Sequence, residues 1–177
     1  MLLTSRTMSK AFTRESDDAP EPLARPRPST PLPPGTKNYL TTDGARRLQA
    51  ELDRLTQIER PKLATPADDP DTRRRLQRLD QQIQSLRHGL GTAVVVAPPS
   101  PPWEQVRFGA TVTVRSRSDE ETRYRIVGLD ETDLNRGWVS WLSPIARALL
   151  NARLGQRVRF KFPSGEEELK IAYIEYE

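Results

Sequence analysis

The chain has 177 residues, 35% hydrophobic and 29% charged, with 16 prolines and no cysteine; such a composition leaves part of it unable to offset the entropy of folding. Without cysteine there are neither disulfides nor thiolate metal sites, and no apolar run approaches the roughly 20 residues that cross a bilayer. The net charge of +4 divides into 6 basic and 4 acidic side chains in residues 1–38, 10 and 8 in residues 39–96, and 12 and 12 in residues 97–177, so no segment has the concentrated positive patch that charge-driven DNA binding needs.

In chain order, residues 1–38 hold seven prolines among mixed charges and few large apolar residues, the composition of a disordered or polyproline-like tail. Met8 offers an alternative start to Met1. The N-terminus lacks the continuous apolar stretch of a signal peptide, and a cytoplasmic protein is the simplest reading.

Thr41 is placed to cap a first helix, with Asp43 in its first turn facing the positive end of the helix dipole. Ala45, Leu48, Leu52 and Leu55 follow at spacings of 3, 4 and 3, a narrow apolar seam. Pro61 predicts a bend or weakening, and Pro66 and Pro70 an end. Leu76, Leu79, Ile83, Leu86 and Leu90 repeat the seam in a second helix, stopped by Gly89 and Gly91. A connection of a few residues makes the two helices antiparallel neighbours, an arm of about 30 Å for some 20 residues per helix. Residues 39–96 are therefore read as an antiparallel helical hairpin.

The prolines of residues 97–102 predict a stiff linker. Beyond it the period becomes strand-like: Val106, Phe108, Ala110, Val112 and Val114 alternate, then Tyr124, Ile126 and, less strictly, Leu129. Residues 138–142 read as a third strand, with Trp138 and Leu142 on one face and Val139 and Trp141 on the other. Ser143 and Pro144 open a short helix to Leu150, and strands Arg157–Phe162 and Leu169–Tyr176 close the chain around a turn at residues 163–165. His88 stands alone, and no order of Ser, His and acid suggests a nucleophilic triad.

Several stretches resemble the Gre transcription elongation factors of bacteria. They are Tyr39-Leu40-Thr41-Thr42-Asp43-Gly44 leading into Leu48-Gln49-Ala50-Glu51-Leu52, then Glu59-Arg60-Pro61, Phe108-Gly109-Ala110-Thr111-Val112, and Val127-Gly128. Asp133-Leu134-Asn135-Arg136-Gly137 and the run Ser143-Pro144-Ile145-Ala146-Arg147-Ala148-Leu149-Leu150, followed by Leu154-Gly155-Gln156-Arg157-Val158, complete the set. The resemblance covers Tyr39 to Tyr176. It implies an α+β chain, an antiparallel coiled-coil hairpin at residues 39–96 joined by residues 97–102 to a small FKBP-like β-rich domain with one short helix at residues 103–177. It also implies an accessory factor, not an enzyme of its own, that acts on RNA polymerase; a monomer is expected, and the lack of a bilayer-length apolar run leaves no membrane partner expected. The C-terminal domain would sit on the polymerase rim, with Trp141, Leu142, Ser143 and Pro144 at the docking loop, and the hairpin would enter the secondary channel. Arg73, Arg74 and Arg75 match basic positions near the nascent RNA in the family, where they would attract phosphates; a solvated helix face is the alternative.

In the family, acids at the hairpin tip share the polymerase's Mg²⁺, and carboxylates suit that ion. No other cofactor is implied. Here residues 65–71 replace a longer tip loop, and roughly 14 residues are absent, or about seven per arm and ~10 Å of reach. Asp68, Asp69 and Asp71 therefore keep two readings: a shortened metal-holding tip, or an ordinary turn in which Asp71 caps the second helix. The expected function is a Gre-type elongation regulator with a shortened arm. The alternatives are a true transcript-cleavage factor and, from the FKBP-like fold alone, a prolyl isomerase.

Overall fold

In a computed structural model the described residues are 32–63, 69–162 and 165–177. Most of the expected tail with Met1 and Met8, the tip residues 64–68 including Asp68, and turn residues 163 and 164 lie outside them.

The arm is rooted in two short strands, β1 (Asn38–Thr41) and β2 (Ala93–Val96), paired in parallel with Asn38 opposite Ala93 and Thr41 opposite Val96. Between them run α1 (Thr42–Arg54), a π-helical turn (Leu55–Glu59), α2 (Arg60–Leu63) and α3 (Pro70–Gly91). Thr41 caps α1 by accepting a hydrogen bond from the Gly44 N–H at 2.9 Å, as its position predicts.

The π turn answers to Pro61. Proline has no N–H to give the carbonyl four residues back, and its ring collides with it; one residue earlier, the Arg60 N–H already reaches five residues back to Leu55. The extra residue shifts the seam. Strict continuation from Leu55 would bring Glu59 and Lys62 inward, whereas Leu63 joins the arm's small core of Leu55, Leu79 and Ile83, flanked by Leu52 and Leu86. Arg60 bridges to Asp80 on the facing helix at 2.7 Å.

Five strands form the second layer: β3 (Ala110–Arg115), β4 (Glu121–Val127), β5 (Trp138–Ser140), β6 (Arg157–Phe162) and β7 (Gly165–Tyr176), in the order β5-β4-β3-β7-β6. All neighbours are antiparallel except β4 and β5. The register between β3 and β7 slips after Thr113, where Tyr173 and then Ile171 are successive partners, so Ala172 bulges out; such a bulge adds twist. Val112, Val114, Ile126, Leu169, Ile171 and Ile174 turn one face toward α4 (Pro144–Leu149), which adds Ile145, Ala146 and Leu149 to a contiguous core.

Three expectations need correction. Residues 106–109 are not strand: Val106 is buried, but Gly109 turns at φ +85° and β3 starts at Ala110. The strand expected over 138–142 ends at Ser140, because the Ser143 N–H closes a turn onto the Ser140 carbonyl and the Leu142 N–H donates to the Ser140 hydroxyl. Leu129 belongs to a single 3₁₀ turn, Leu129–Glu131.

Candidate functional site

At the far end of the arm, Asp69 rather than Asp71 is the cap of α3, with Pro70 in the first helical position. Its carboxylate accepts from the Asp71 N–H at 2.8 Å, the Thr72 N–H at 3.3 Å and the Thr72 hydroxyl at 2.6 Å. The Thr72 hydroxyl, followed by the Asp71 N–H, holds the Asp69 carboxyl below the usual carboxylate range. Asp71 is exposed and lies 3.8 Å from Arg74. Arg73, Arg74 and Arg75 are exposed on the first turns of α3, where three consecutive helical positions fan over about 200° instead of forming one patch.

Trp141, Leu142, Ser143 and Pro144 occupy the turn between β5 and α4. The Ser143 hydroxyl caps α4 by accepting from the Ala146 N–H at 3.2 Å, and Pro144 is exposed in the first helical position. Leu142 is half-buried. The Trp141 ring packs inward, edge-on to Tyr39 of the arm root at 5.2 Å between ring centres.

The root of the arm holds residues that sequence reasoning missed. Glu131 sits there with its side chain 1% exposed. One carboxylate oxygen accepts from the backbone N–H groups of Thr41 at 2.9 Å and Gly128 at 3.0 Å; the other accepts from the Thr41 hydroxyl at 2.5 Å, with Arg47 at 3.6 Å. Tyr39 wedges between Trp141 and Phe108, and Leu40 is fully buried.

Beside this joint, the guanidinium groups of Arg47, Arg125 and Arg136 lie 4.3, 5.0 and 5.2 Å from the centre of the Trp138 ring, within cation–π range. Their charges are met by Asp43 on Arg47, Glu177 on Arg125 and Asp133 on Arg136 at 3.0, 2.8 and 3.5 Å. Arg125 is almost fully buried although it stands on the sheet face opposite the core, where the Trp138 ring lies over it, Glu177 pairs with it at 2.8 Å and Asp43 of the arm approaches to 4.0 Å. One sequence signal pointed here: Gly44 occupies the first turn of a helix, where glycine is costly and hints at a close approach.

A helical arm clamped on a small mixed sheet domain is the architecture that the structure defines, and comparison with known proteins gives the family. The family model described as "Transcription elongation factor, GreA/GreB, C-term" matches residues 100–176. Transcription elongation factor GreB of Neisseria meningitidis serogroup A is 37% identical over 155 residues, covering 80% of this chain and 95% of that protein. Transcription elongation factor GreA of Pelobacter propionicus is 36% identical over 152 residues, covering 78% and 96%. Among solved structures, a GreA/GreB factor from Nitrosomonas europaea is 25% identical, covering 79% of this chain and 100% of that one, with a TM-score of 0.40. The chain belongs to the GreA/GreB family of transcription elongation factors.

The match to GreB runs over 155 positions and takes up 80% of the 177 residues, about 142, so about 13 positions lie opposite residues that this chain lacks.

Proposed function

We propose that this chain regulates transcription elongation by docking its sheet domain on bacterial RNA polymerase and placing a shortened arm in the secondary channel, without strong transcript cleavage of its own. The observation that carries this reading is the fate of Asp69, whose carboxylate is already engaged by three donors as the cap of α3. A carboxylate so engaged has few lone pairs left for a metal ion, and coordination tolerates errors of only about 0.2 Å. The resemblance adds to this, because it puts the absent residues at the tip: at ~1.5 Å per residue, about seven fewer on each helix withdraw the tip by ~10 Å.

Under this reading the chain contributes no cofactor and the metal ion stays with the polymerase. Of Arg73, Arg74 and Arg75, which fan around the helix, those on the side turned to the emerging RNA meet its phosphates, and the loop Leu142-Ser143-Pro144 meets the polymerase rim. Trp141 supports that loop from behind.

Two measurements test it. In a pull-down, core polymerase retains the chain at micromolar concentration; failure to bind at that level overturns the proposal. On a backtracked elongation complex, RNA shortening stays at the level of polymerase alone. Robust shortening that disappears when Asp68, Asp69 and Asp71 are changed together to asparagine would establish the cleavage reading instead.

A further inference from the structure

Among the described residues, Glu131 is the only carboxylate side chain in the buried interior, where an unpaired charge would be strongly destabilising. Its donors come from both parts of the molecule. Thr41, which gives a backbone N–H and a hydroxyl, is the last residue before α1; Gly128 belongs to the sheet domain. A single side chain therefore ties the arm to the sheet at the point where the arm would pivot.

Two glycines let the backbones come this close. A Cβ on Gly44 would stand 1.7 Å from the nearer Glu131 carboxylate oxygen, and one on Gly128 would stand 2.2 Å from the Tyr39 carbonyl oxygen. The second helix is held at the same level: the Asn38 side-chain amide donates to the Gly89 carbonyl at 2.9 Å, and a Cβ on Gly89 would meet the Asp130 carboxylate at 3.1 Å.

We propose that Glu131 is a positioning residue that sets the direction in which the arm leaves the sheet domain. Direction matters because the arm is a lever. The 22 residues of α3 span about 33 Å, so a swing of about 20° at the root moves the tip by about 11 Å, as much as the missing turns remove. The structural part of this inference is independent of the polymerase; its effect on transcription rests on the function proposed above.

The absence of native cysteine allows a direct measurement. Spin labels on Gln81→Cys in α3 and Arg147→Cys in α4, both exposed, report the arm-to-domain distance in the free, folded protein. The parent gives one narrow distribution. Glu131→Ala, which strands the Thr41 and Gly128 N–H groups, widens it at least two-fold, and Glu131→Gln keeps it narrow because the amide oxygen still serves those donors.

Gly44→Ala widens it as well, although alanine is the stronger helix former, so a mere loss of helix stability predicts the opposite result. That variant lies in the arm and decides the matter if Glu131→Ala does not fold. Unchanged widths in the alanine variants that fold overturn the inference. If the parent fails to bind polymerase while the widths change as stated, the function proposed above falls and the clamp stands.

Discussion

At the level of single residues, the two described tip acids, Asp69 and Asp71, are not equivalent, and hydrogen bonding separates them. Asp69 accepts three hydrogen bonds as a cap, while Asp71 is exposed beside Arg74. Because its folded-state pKa is depressed, the Asp69 cap contributes fully above the unfolded carboxylate value of about 3.9 and is lost as the pH falls through the lower folded value. Amide exchange at Asp71 and Thr72 should therefore stay slow and pH-independent in protection from neutral pH to about pH 4 and lose protection below it. Asp69→Ala should remove that protection at neutral pH and Asp69→Asn should retain most of it, since asparagine caps as well as aspartate. Equal protection in all three proteins would show that the cap is not held by this side chain.

At the level of elements, the arm and the sheet domain have separate cores, so they should respond separately to damage. Leu55, Leu79 and Ile83 are the buried part of the arm, and Ile83→Ala should destabilise it by about 2–4 kcal/mol. Trp138 and Trp141 touch the arm root, whereas Trp103 packs on Tyr176 of the sheet domain, so a protein that keeps Trp103 as its one tryptophan makes the split measurable. The helical circular dichroism transition should move to lower temperature while the main tryptophan fluorescence transition stays in place; coincident shifts would mean one cooperative unit. The seams of the two helices were legible from leucine spacing because a 3.6-residue period leaves a regular trace. The π turn was not, since Pro61 announces a disturbance without saying whether the helix ends, kinks or gains a residue. The four-residue strands β1 and β2 were invisible for a different reason: their pairing joins residues separated by the whole arm, and periodicity carries no information about distant partners.

For the whole molecule, arm length is the variable that the proposed function turns on. Inserting seven residues in heptad register into each helix at the tip should advance it by about 10 Å. With a loop bearing two unencumbered carboxylates, the extended chain should then raise RNA shortening in a backtracked complex above that of polymerase alone. The same extension with asparagines at those positions should not. Extension with carboxylates that leaves cleavage at background would show that reach is not what limits this chain.

The sequence by itself determined the kind of molecule: leucine seams make two helices, alternation at Val112, Val114 and Ile126 makes strands, and Ser143-Pro144 starts the short helix. It also determined family, because 37% identity over 155 residues to a GreB factor needs no structure to be seen. Tertiary structure alone decided how the parts are joined. The prolines of residues 97–102 would allow many orientations, yet the joint is made elsewhere, by Tyr39, Leu40 and Thr41 packed on Trp141, Gly128 and Glu131. Glu131 and Asp130 read as ordinary polar loop residues in sequence, since a lone carboxylate has no period. Burial and the donors brought to it from 90 positions away are what turn Glu131 into the clamp.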